Sequence, residues 1–149
     1  MIELRQVDWN HPDSERLRAD QQAEIAVRYG TPDSEPGPKP SADDITVFFV
    51  GYDGQTPVGC GGLRSLDASH GEIKRMYVVP ARRGSGASTA ILRHLEGEAR
   101  ARGWDRLVLE TGVEQPDAVR FYEREGYVRI PNFGYYTDSE ISLCYGKRL

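Results

Sequence analysis

Apolar residues repeat with two different periods along the chain, and each period predicts one kind of element. An alternation of apolar and polar residues, or a short run of β-branched and aromatic residues, is typical of a strand. Four such runs lie in the first half of the chain, at residues 2–7, 45–52, 56–66 and 72–79. Asp53-Gly54 joins the second run to the third and favours a tight hairpin turn. The last three of these strands are therefore predicted to form an antiparallel meander.

Helical spacing dominates the other long runs and predicts three helices, at residues 13–29, 86–102 and 116–125. The second helix has one apolar side, formed by Ala87, Ala90, Ile91, Leu95 and Ala99. Glu96–Arg100 and Glu98–Arg102 have the spacing of i,i+4 ion pairs, and we predict that both pairs lie on its outer side. Gly103 and Gly126 follow the second and third helices and suit their C-terminal caps.

The order of the elements predicts an α+β fold with a mixed sheet. Three short strands complete the second half of the chain, at residues 106–110, 127–130 and 141–145. Strands come first and a β-α-β-α-β segment follows, without a repeat or a linker, so residues 1–149 are predicted to form one domain. Residues 30–44, which we call the proline-rich loop, hold four prolines and two glycines and cannot form regular structure. An ordered lid and a disordered segment are both compatible with this composition.

Composition narrows the function classes. Charged residues at 28% and apolar residues at 38% are typical of a soluble globular protein, and the net charge of −4 disfavours nucleic acid or an anionic membrane as partner. No apolar run has the length of a membrane span and the N-terminus has no signal-peptide core, so we expect a cytoplasmic protein. Cys60 and Cys144 lie in strand-like runs and are predicted to be buried, reduced thiols. His, Cys and carboxylate residues show no metal-ligand spacing, so no metal is expected.

The most informative segment, residues 78–92, joins a strand end to a helix through Arg82-Arg83-Gly84-Ser85-Gly86. Such a turn directs several backbone N–H groups and the positive end of the helix dipole at one point, which suits a phosphate or pyrophosphate. Glycines at this junction are also compatible with turn geometry alone. No Lys-Ser or Lys-Thr pair follows the last glycine, and Thr89 stands where a dinucleotide fingerprint needs a third glycine. An ATPase loop or a dehydrogenase loop is therefore disfavoured.

Two motifs in order resemble the GNAT superfamily of acetyl-CoA-dependent N-acyltransferases. Residues 83–88 are similar to its Arg/Gln-x-x-Gly-x-Gly/Ala signature, although Ser88 replaces the final Gly or Ala. Residues 118–127 resemble its A-x-x-x-Y-x-x-x-G-F/Y signature, with Ala118 and Tyr122 on one helix face. The resemblance extends over residues 45–148, and the ending is similar to small bacterial, mostly uncharacterised members. It implies a mixed, mostly antiparallel sheet flanked by helices.

The resemblance implies transfer of an acetyl group from acetyl-CoA to an amine by direct attack in a ternary complex. It assigns acetyl-CoA to the glycine-rich turn, the fourth strand and one position of the third helix: Met76, Tyr77, Val78, Arg83, Gly84, Ser85, Gly86, Ala87, Ser88 and Phe121. Arg82 is a weaker second candidate, and both an exposed position and a place near the 3′-phosphate are open for it. A backbone N–H near Met76 or Tyr77 would hold the oxyanion.

For catalysis, the resemblance assigns Tyr122 to the departing thiolate. A tyrosine hydroxyl titrates near 10 and a thiol near 8.5, so a hydrogen bond is favoured over full proton transfer. Glu72, at the start of the fourth strand, is the first candidate for a general base acting through water, and Glu110 is the second. A packed aromatic ring and solvated carboxylates are the structural alternatives for these three residues.

The acceptor substrate is the least defined part of the implied reaction. The resemblance implies a small-molecule or peptide amine, with selectivity from the first helix, the proline-rich loop and residues 133–136. Asp43, Asp44 and Glu110 would favour a cationic small amine. A homodimer is compatible with the family, and no sequence feature decides for or against it. A non-catalytic acyl-CoA-binding or sensor domain is the alternative function.

Overall fold

The computed structural model describes all residues from Met1 to Leu149 and contains seven strands and three helices. In chain order they are β1 (Glu3–Gln6), α1 (Pro12–Tyr29), β2 (Val47–Asp53), β3 (Thr56–Ser65), β4 (His70–Val78), α2 (Ala87–Ala101), β5 (Arg106–Gly112), α3 (Pro116–Arg124), β6 (Val128–Ile130) and β7 (Ser142–Arg148). One sheet has the order β1-β2-β3-β4-β5-β7-β6, and β4–β5 is its single parallel pair. The predicted α+β class, the mostly antiparallel mixed sheet and the meander are confirmed.

The sheet opens between β4 and β5, and this opening positions the site. The two strands are paired only from His70–Arg106 to Ile73–Leu109. Beyond these residues β4 stays with β3, while the end of β5 stays with β7. The C-terminal halves of the two parallel strands therefore diverge, and the edge of β4 that faces β5 has no backbone partner there.

A β-bulge interrupts β4 at the start of this opening. Cys60 pairs with Tyr77 and Gly62 pairs with Lys74, so two residues of β4 oppose the single Gly61 of β3. One of the two, Arg75, has φ of 59° and is the one non-glycine residue in the left-handed region. This conformation costs about 1–2 kcal/mol for a residue with a side chain, so contacts of Arg75 must hold it.

The two faces of the sheet bury different helices. Alternate β2 residues point to opposite faces, so Val47 and Phe49 join the core under α2, whereas Phe48 and Val50 pack with Leu17 of α1. Ile91 and Leu95 of α2 are fully buried, as the apolar spacing predicts. None of the three helices combines the length with the apolar character of a membrane span.

Glu96 corrects one prediction about α2. It is 1% exposed instead of outward-facing, and it accepts hydrogen bonds from Tyr127 Oη at 2.9 Å and Lys147 Nζ at 3.0 Å. Arg93 also donates to it at 2.8 Å, so Arg100 is not its partner. The Glu98–Arg102 pair is confirmed at 3.1 Å.

The proline-rich loop contains no helix or strand, as predicted, and side-chain contacts attach it to the sheet. Asp44 accepts a hydrogen bond from Arg64 at 2.9 Å, and Glu35 contacts two cations of β4. Gly37 packs so closely on Tyr135 that a Cβ there would lie 2.5 Å from its ring. Cys60 and Cys144 are buried free thiols, as predicted.

Candidate active site

A cavity of about 440 Å³ lies where the sheet opens. Its walls are the diverging part of β4, the turn before α2, one face of α3 and the C-terminal half of α1. Eight of the ten residues predicted to bind acetyl-CoA line it: Met76, Tyr77, Val78, Arg83, Gly84, Gly86, Ser88 and Phe121. Ser85 and Ala87 do not: the Ser85 hydroxyl donates to the Arg82 carbonyl, and Ala87 is buried beneath the helix.

The turn before α2 leaves helical N–H groups available at the cavity wall. Gly84 and Gly86 have φ of +76° and +91°, a conformation that glycine adopts without strain. Gly86 is the N-cap of α2, and no side chain caps the helix. The first N–H groups of α2 therefore lack acceptors within the helix, and they carry the positive end of its dipole.

The charge around this cavity is positive although the chain is acidic. Four arginines line it, namely Arg28, Arg83, Arg120 and Arg124, against the two carboxylates Glu24 and Asp117. The sequence analysis did not identify Arg120 and Arg124 as site residues. Their i,i+4 spacing on α3, beside the predicted Phe121 and Tyr122, was the available signal. Arg82, the second candidate, does not line this cavity and pairs with Asp53.

Arg83 is held by an ion pair across the mouth of the cavity. Its Nη1 and Nη2 donate to Glu24 Oε1 and Oε2 at 2.8 and 2.9 Å, and its Nε donates to the Val78 carbonyl at 3.0 Å. One turn further along α1, Arg28 donates to Asp117 of α3 at 2.8 Å. Helix α1 thus contacts both the turn before α2 and the start of α3.

Tyr122 lies on α3 where the large cavity meets a smaller one. It is 8% exposed, and its ring packs edge-on against Phe121 and Tyr127, with centroids 5.2 and 5.7 Å apart. Burial raises the pKa of the Tyr122 hydroxyl well above 10, and no other group contributes to this rise. The phenol therefore stays protonated at neutral pH and acts as a hydrogen-bond donor.

The smaller cavity, about 110 Å³, shares Tyr122 and Met76 with the larger one. Gln21 of α1 also lines both cavities, and the smaller one adds polar residues from the proline-rich loop, β4 and β5: Glu35, Lys74, Arg75, Glu110 and Thr111. Because the two cavities share these lining residues, they are adjacent, and Tyr122 lies at their common wall.

Glu110 reaches the smaller cavity from the diverging end of β5. One of its oxygens accepts a hydrogen bond from Ser142 Oγ at 2.8 Å. Burial raises the pKa of Glu110 to about 7, with further contributions from Glu35 and Glu72. A carboxyl group of this pKa exchanges protons near neutral pH, as a general base must.

Glu72 lies outside both cavities, although it is the first candidate from the sequence. It is 1% exposed; Arg64 donates to its Oε1 at 2.7 Å, and Tyr136 Oη donates to its Oε2 at 2.7 Å. Lys74 Nζ is 3.7 Å away. Both oxygens are therefore engaged within the protein, and the geometry favours Glu110 over Glu72 as the base. Strand position alone did not reveal the contacts with Arg64 and Tyr136 that engage Glu72.

Gln21 and Thr111 are site residues that the sequence analysis missed. Gln21 Nε2 donates to the Met76 carbonyl at 2.9 Å, while Gln21 Oε1 and Thr111 Oγ1 are buried without a hydrogen-bond partner. A buried unpaired polar atom costs about 1–3 kcal/mol, so such atoms are uncommon away from ligand sites. No group of three or more His, Cys, Asp or Glu side chains is arranged to hold a metal ion.

Comparisons with known proteins identify the family and the fold of the chain. A sequence model of the acetyltransferase (GNAT) family matches residues 3–127. An IAA acetyltransferase of Azospirillum brasilense is 38% identical over 103 residues, which cover 68% of this chain and 67% of that protein. A candidate acyl-CoA N-acyltransferase from Klebsiella pneumoniae is 26% identical, with a TM-score of 0.84 over 100% of this chain and 98% of its own. A GNAT acetyltransferase from Elizabethkingia anophelis, crystallised with acetyl-CoA, is 15% identical, with a TM-score of 0.75 over 99% of this chain and 98% of its own.

Proposed function

The chain belongs to the acetyltransferase (GNAT) family, and we propose that it transfers an acetyl group from acetyl-CoA to a primary amine by direct attack in a ternary complex. The observation that carries this proposal is the junction of two cavities at Tyr122. The larger cavity has the lining that a polyanionic cofactor needs. The smaller one holds a carboxyl group that can accept a proton.

Three features of the larger cavity fit acetyl-CoA. The free N–H groups at the start of α2, together with Arg83, suit its pyrophosphate. Arg120 and Arg124 supply further positive charge on the opposite wall. The unpaired edge of β4, from Met76 to Val78, can pair with the amides of the pantetheine arm as an added strand would. The Elizabethkingia neighbour, which shares the fold, was crystallised with acetyl-CoA, and this supports acetyl-CoA as the co-substrate.

Acetyl-CoA would supply the acetyl group as an activated thioester, and the residues at the junction would act on the charges that develop. Tyr122 would donate a hydrogen bond to the departing thiolate and keep its own proton, because the pKa of a tyrosine is already above that of a thiol and burial raises it further. A backbone N–H near Met76 or Tyr77 stabilises the negative charge that develops on the carbonyl oxygen. Both groups lie on rigid elements, so they need little reorganisation.

Glu110 is proposed as the base that takes the proton from the attacking amine, directly or through one water. Its pKa of about 7 leaves a substantial ionised fraction at neutral pH, and no cation of the chain pairs directly with it. Glu72 then has a structural role, because it ties Arg64 to Tyr136 beneath the site.

Free-thiol release from acetyl-CoA against a panel of amines tests this function. We expect release that depends on the amine and falls strongly in the Tyr122→Phe variant, while CoA binding is retained. Binding of CoA without release for any amine, and without an effect of Tyr122→Phe, would contradict catalysis and favour the sensor alternative.

A further inference from the structure

A carboxylate of the chain itself lies in the smaller cavity, between two cations of β4. Arg75 donates from Nη1 to Glu35 Oε2 at 2.9 Å and from Nη2 to Glu35 Oε1 at 2.8 Å. Lys74 Nζ donates to Glu35 Oε2 at 3.0 Å. All three residues line the cavity that also contains Tyr122 and Glu110. The cavity therefore already contains a complete carboxylate-binding arrangement.

The bulge in β4 produces this arrangement. Consecutive residues of a regular strand point to opposite faces, so Lys74 and Arg75 would ordinarily diverge. Arg75 lies in the bulge with φ of 59°, and both cations converge on one carboxylate. A non-glycine residue held in the left-handed region is often part of a functional site, and here the strained residue provides the bidentate guanidinium.

The carboxylate that contacts Lys74 and Arg75 belongs to a segment without strand pairing. Glu35 belongs to the proline-rich loop, which has no helix or strand. The side chains of Lys74 and Arg75 are only 6% and 10% exposed. Lys74 keeps the Glu72 carboxylate at 3.7 Å and the Tyr136 hydroxyl at 2.9 Å, whereas Arg75 has no ion pair other than the one with Glu35. The Arg75 guanidinium therefore requires another anion whenever Glu35 is displaced.

We propose that Lys74 and Arg75 form a specificity subsite for a carboxylate carried by the acceptor, which replaces Glu35 when the acceptor binds. The inference rests on the proposed acetyl transfer and names its substrate class: a short amine that also bears a carboxylate. The carboxylate lies on Arg75, and the amino group is directed towards Glu110 and Tyr122. The cavity measures about 110 Å³ with Glu35 in place, and a short acceptor would occupy it together with the space that the Glu35 carboxylate leaves. This replaces the expected cationic amine, since Asp44, one of the residues behind that expectation, pairs with Arg64.

Calorimetric binding to the CoA-loaded protein tests the subsite without requiring turnover. The probes are unbranched ω-amino acids from glycine to 5-aminopentanoate, each compared with its own carboxamide. For at least one chain length, the acid is expected to bind about tenfold or more tightly than the amide, because a charged bidentate hydrogen bond is lost in the amide. Equal binding of acid and amide at every length, or no binding of either, would overturn the proposal.

Two variants and one matched control test whether Lys74 and Arg75 produce the preference for the acid over the amide. Glu35→Gln weakens the internal competitor and should tighten binding of the acid several-fold, with little effect on the amide. Asp44→Asn removes the other ion pair of the same loop and should leave the acid-to-amide ratio unchanged. Arg75→Gly keeps the left-handed backbone without strain and removes the guanidinium, so the ratio should fall to about one. A ratio unchanged in Arg75→Gly would contradict the subsite.

The subsite and the proposed function fail separately. Turnover of amines with no preference for the acid would refute the subsite and leave acetyl transfer intact. Preferential binding of the acid, with no thiol release from acetyl-CoA for any chain length, would retain the subsite and count against the proposed reaction.

Discussion

Burial raises the pKa of Tyr122, which lines both cavities, and of Glu110, which lines the smaller one, and it would suit the two residues to different roles. The phenol has no charged neighbour that offsets its desolvation, so its pKa rises and it remains a donor. The carboxyl group is also desolvated, but Ser142 and Lys74 favour its ionised form, and its pKa stays at about 7. One residue can therefore donate while the other accepts at the same pH.

Replacing Tyr122 with Phe removes only the hydroxyl from the junction. We expect kcat to fall about 10²-fold, because a hydrogen bond to the developing thiolate is lost. The melting temperature should change little. The pKa of the hydroxyl is raised by burial alone, so the variant loses no hydrogen bond to another protein group. Steady-state thiol release, with thermal unfolding as the structural control, measures both quantities. A normal kcat in the variant would exclude the proposed role.

The Glu110→Gln variant should lose the pH dependence that Glu110 provides. In the wild type, kcat/KM should rise as pH increases through about 7, where Glu110 ionises, and this limb should be absent in the variant. The variant should also be slower by about 10²-fold or more. A wild-type profile that is flat between pH 5.5 and 8.5 would contradict the assignment.

The ionisation of Glu110 should also make the free energy of unfolding decrease as pH rises. The folded-state pKa of Glu110 is raised from 4.5 to about 7, so the folded state favours its protonated form. Its contribution is complete below pH 4.5 and is lost as pH rises through about 7, by an amount on the order of 3 kcal/mol. Urea unfolding should therefore show that Glu110→Gln gains stability relative to the wild type as pH rises from 4 to 8. No relative gain would contradict the raised pKa.

Residue identity was predictable where a local motif defines it. Arg83 and Tyr122 belong to motifs of fixed spacing, and both line the cavity. The preference for Glu110 over Glu72 as the proposed base was not predictable, because it depends on how the β3–β4 pair brings Arg64 to Glu72 and on Tyr136, which is 64 residues from Glu72. The burial of Glu96 has the same origin, since Lys147 reaches it from β7.

At the scale of elements, α1 holds the entrance of the larger cavity through Glu24 and Arg83. A pyrophosphate on Arg83 must compete with the bidentate Glu24 contact. Glu24→Gln should therefore tighten acetyl-CoA binding about two- to fivefold, the range expected for a partly exposed ion pair. Calorimetric titration measures this effect.

Asp117→Asn is the matched control for Glu24→Gln. It removes one negative charge from the same cavity but leaves the Arg83 pair intact. Its effect on acetyl-CoA affinity should be clearly smaller. Equal effects would show that general electrostatics, and not competition for Arg83, determines the affinity.

Packing of α2 on β3 depends on a glycine. A Cβ at Gly59 would lie 2.7 Å from Ile91 Cδ1 and 2.8 Å from the Tyr77 carbonyl oxygen. Gly59→Ala should lower the free energy of unfolding by about 1–3 kcal/mol through overpacking. Gly97→Ala, within α2 and with no neighbour inside 4 Å, should raise it by about 0.5–1 kcal/mol. Urea unfolding compares the two variants; the same sign for both would contradict this account.

Element types were predictable from periodicity, and their ends less so. The last strand continues to Arg148, beyond the predicted residue 145, because β5 pairs with it along its whole length. The bulge at Arg75 left no local signal, since it arises from the register between β3 and β4. The opening between β4 and β5 likewise gave no local signal, because it depends on β4 remaining paired with β3 and β5 with β7.

On the scale of the whole molecule, an acidic chain concentrates arginines around one cavity. The net charge is −4, yet four arginines and two carboxylates line the opening beside the glycine-rich turn. An acidic chain can therefore still attract and bind a phosphate ligand, because the electrostatic potential near the cavity matters more than the total charge. The fold contributes by opening the sheet where the turn, α1 and α3 meet.

Titration of the protein with acetyl-CoA by calorimetry, with ATP as the comparison ligand, tests the central claim most directly. The account predicts one acetyl-CoA per chain with a dissociation constant on the order of micromolar. Affinity should fall as salt rises, since the arginines of the cavity are partly exposed. ATP at the same concentration should not displace acetyl-CoA. No binding of acetyl-CoA, or equal binding of ATP, would contradict the assignment of the cavity and the function built on it.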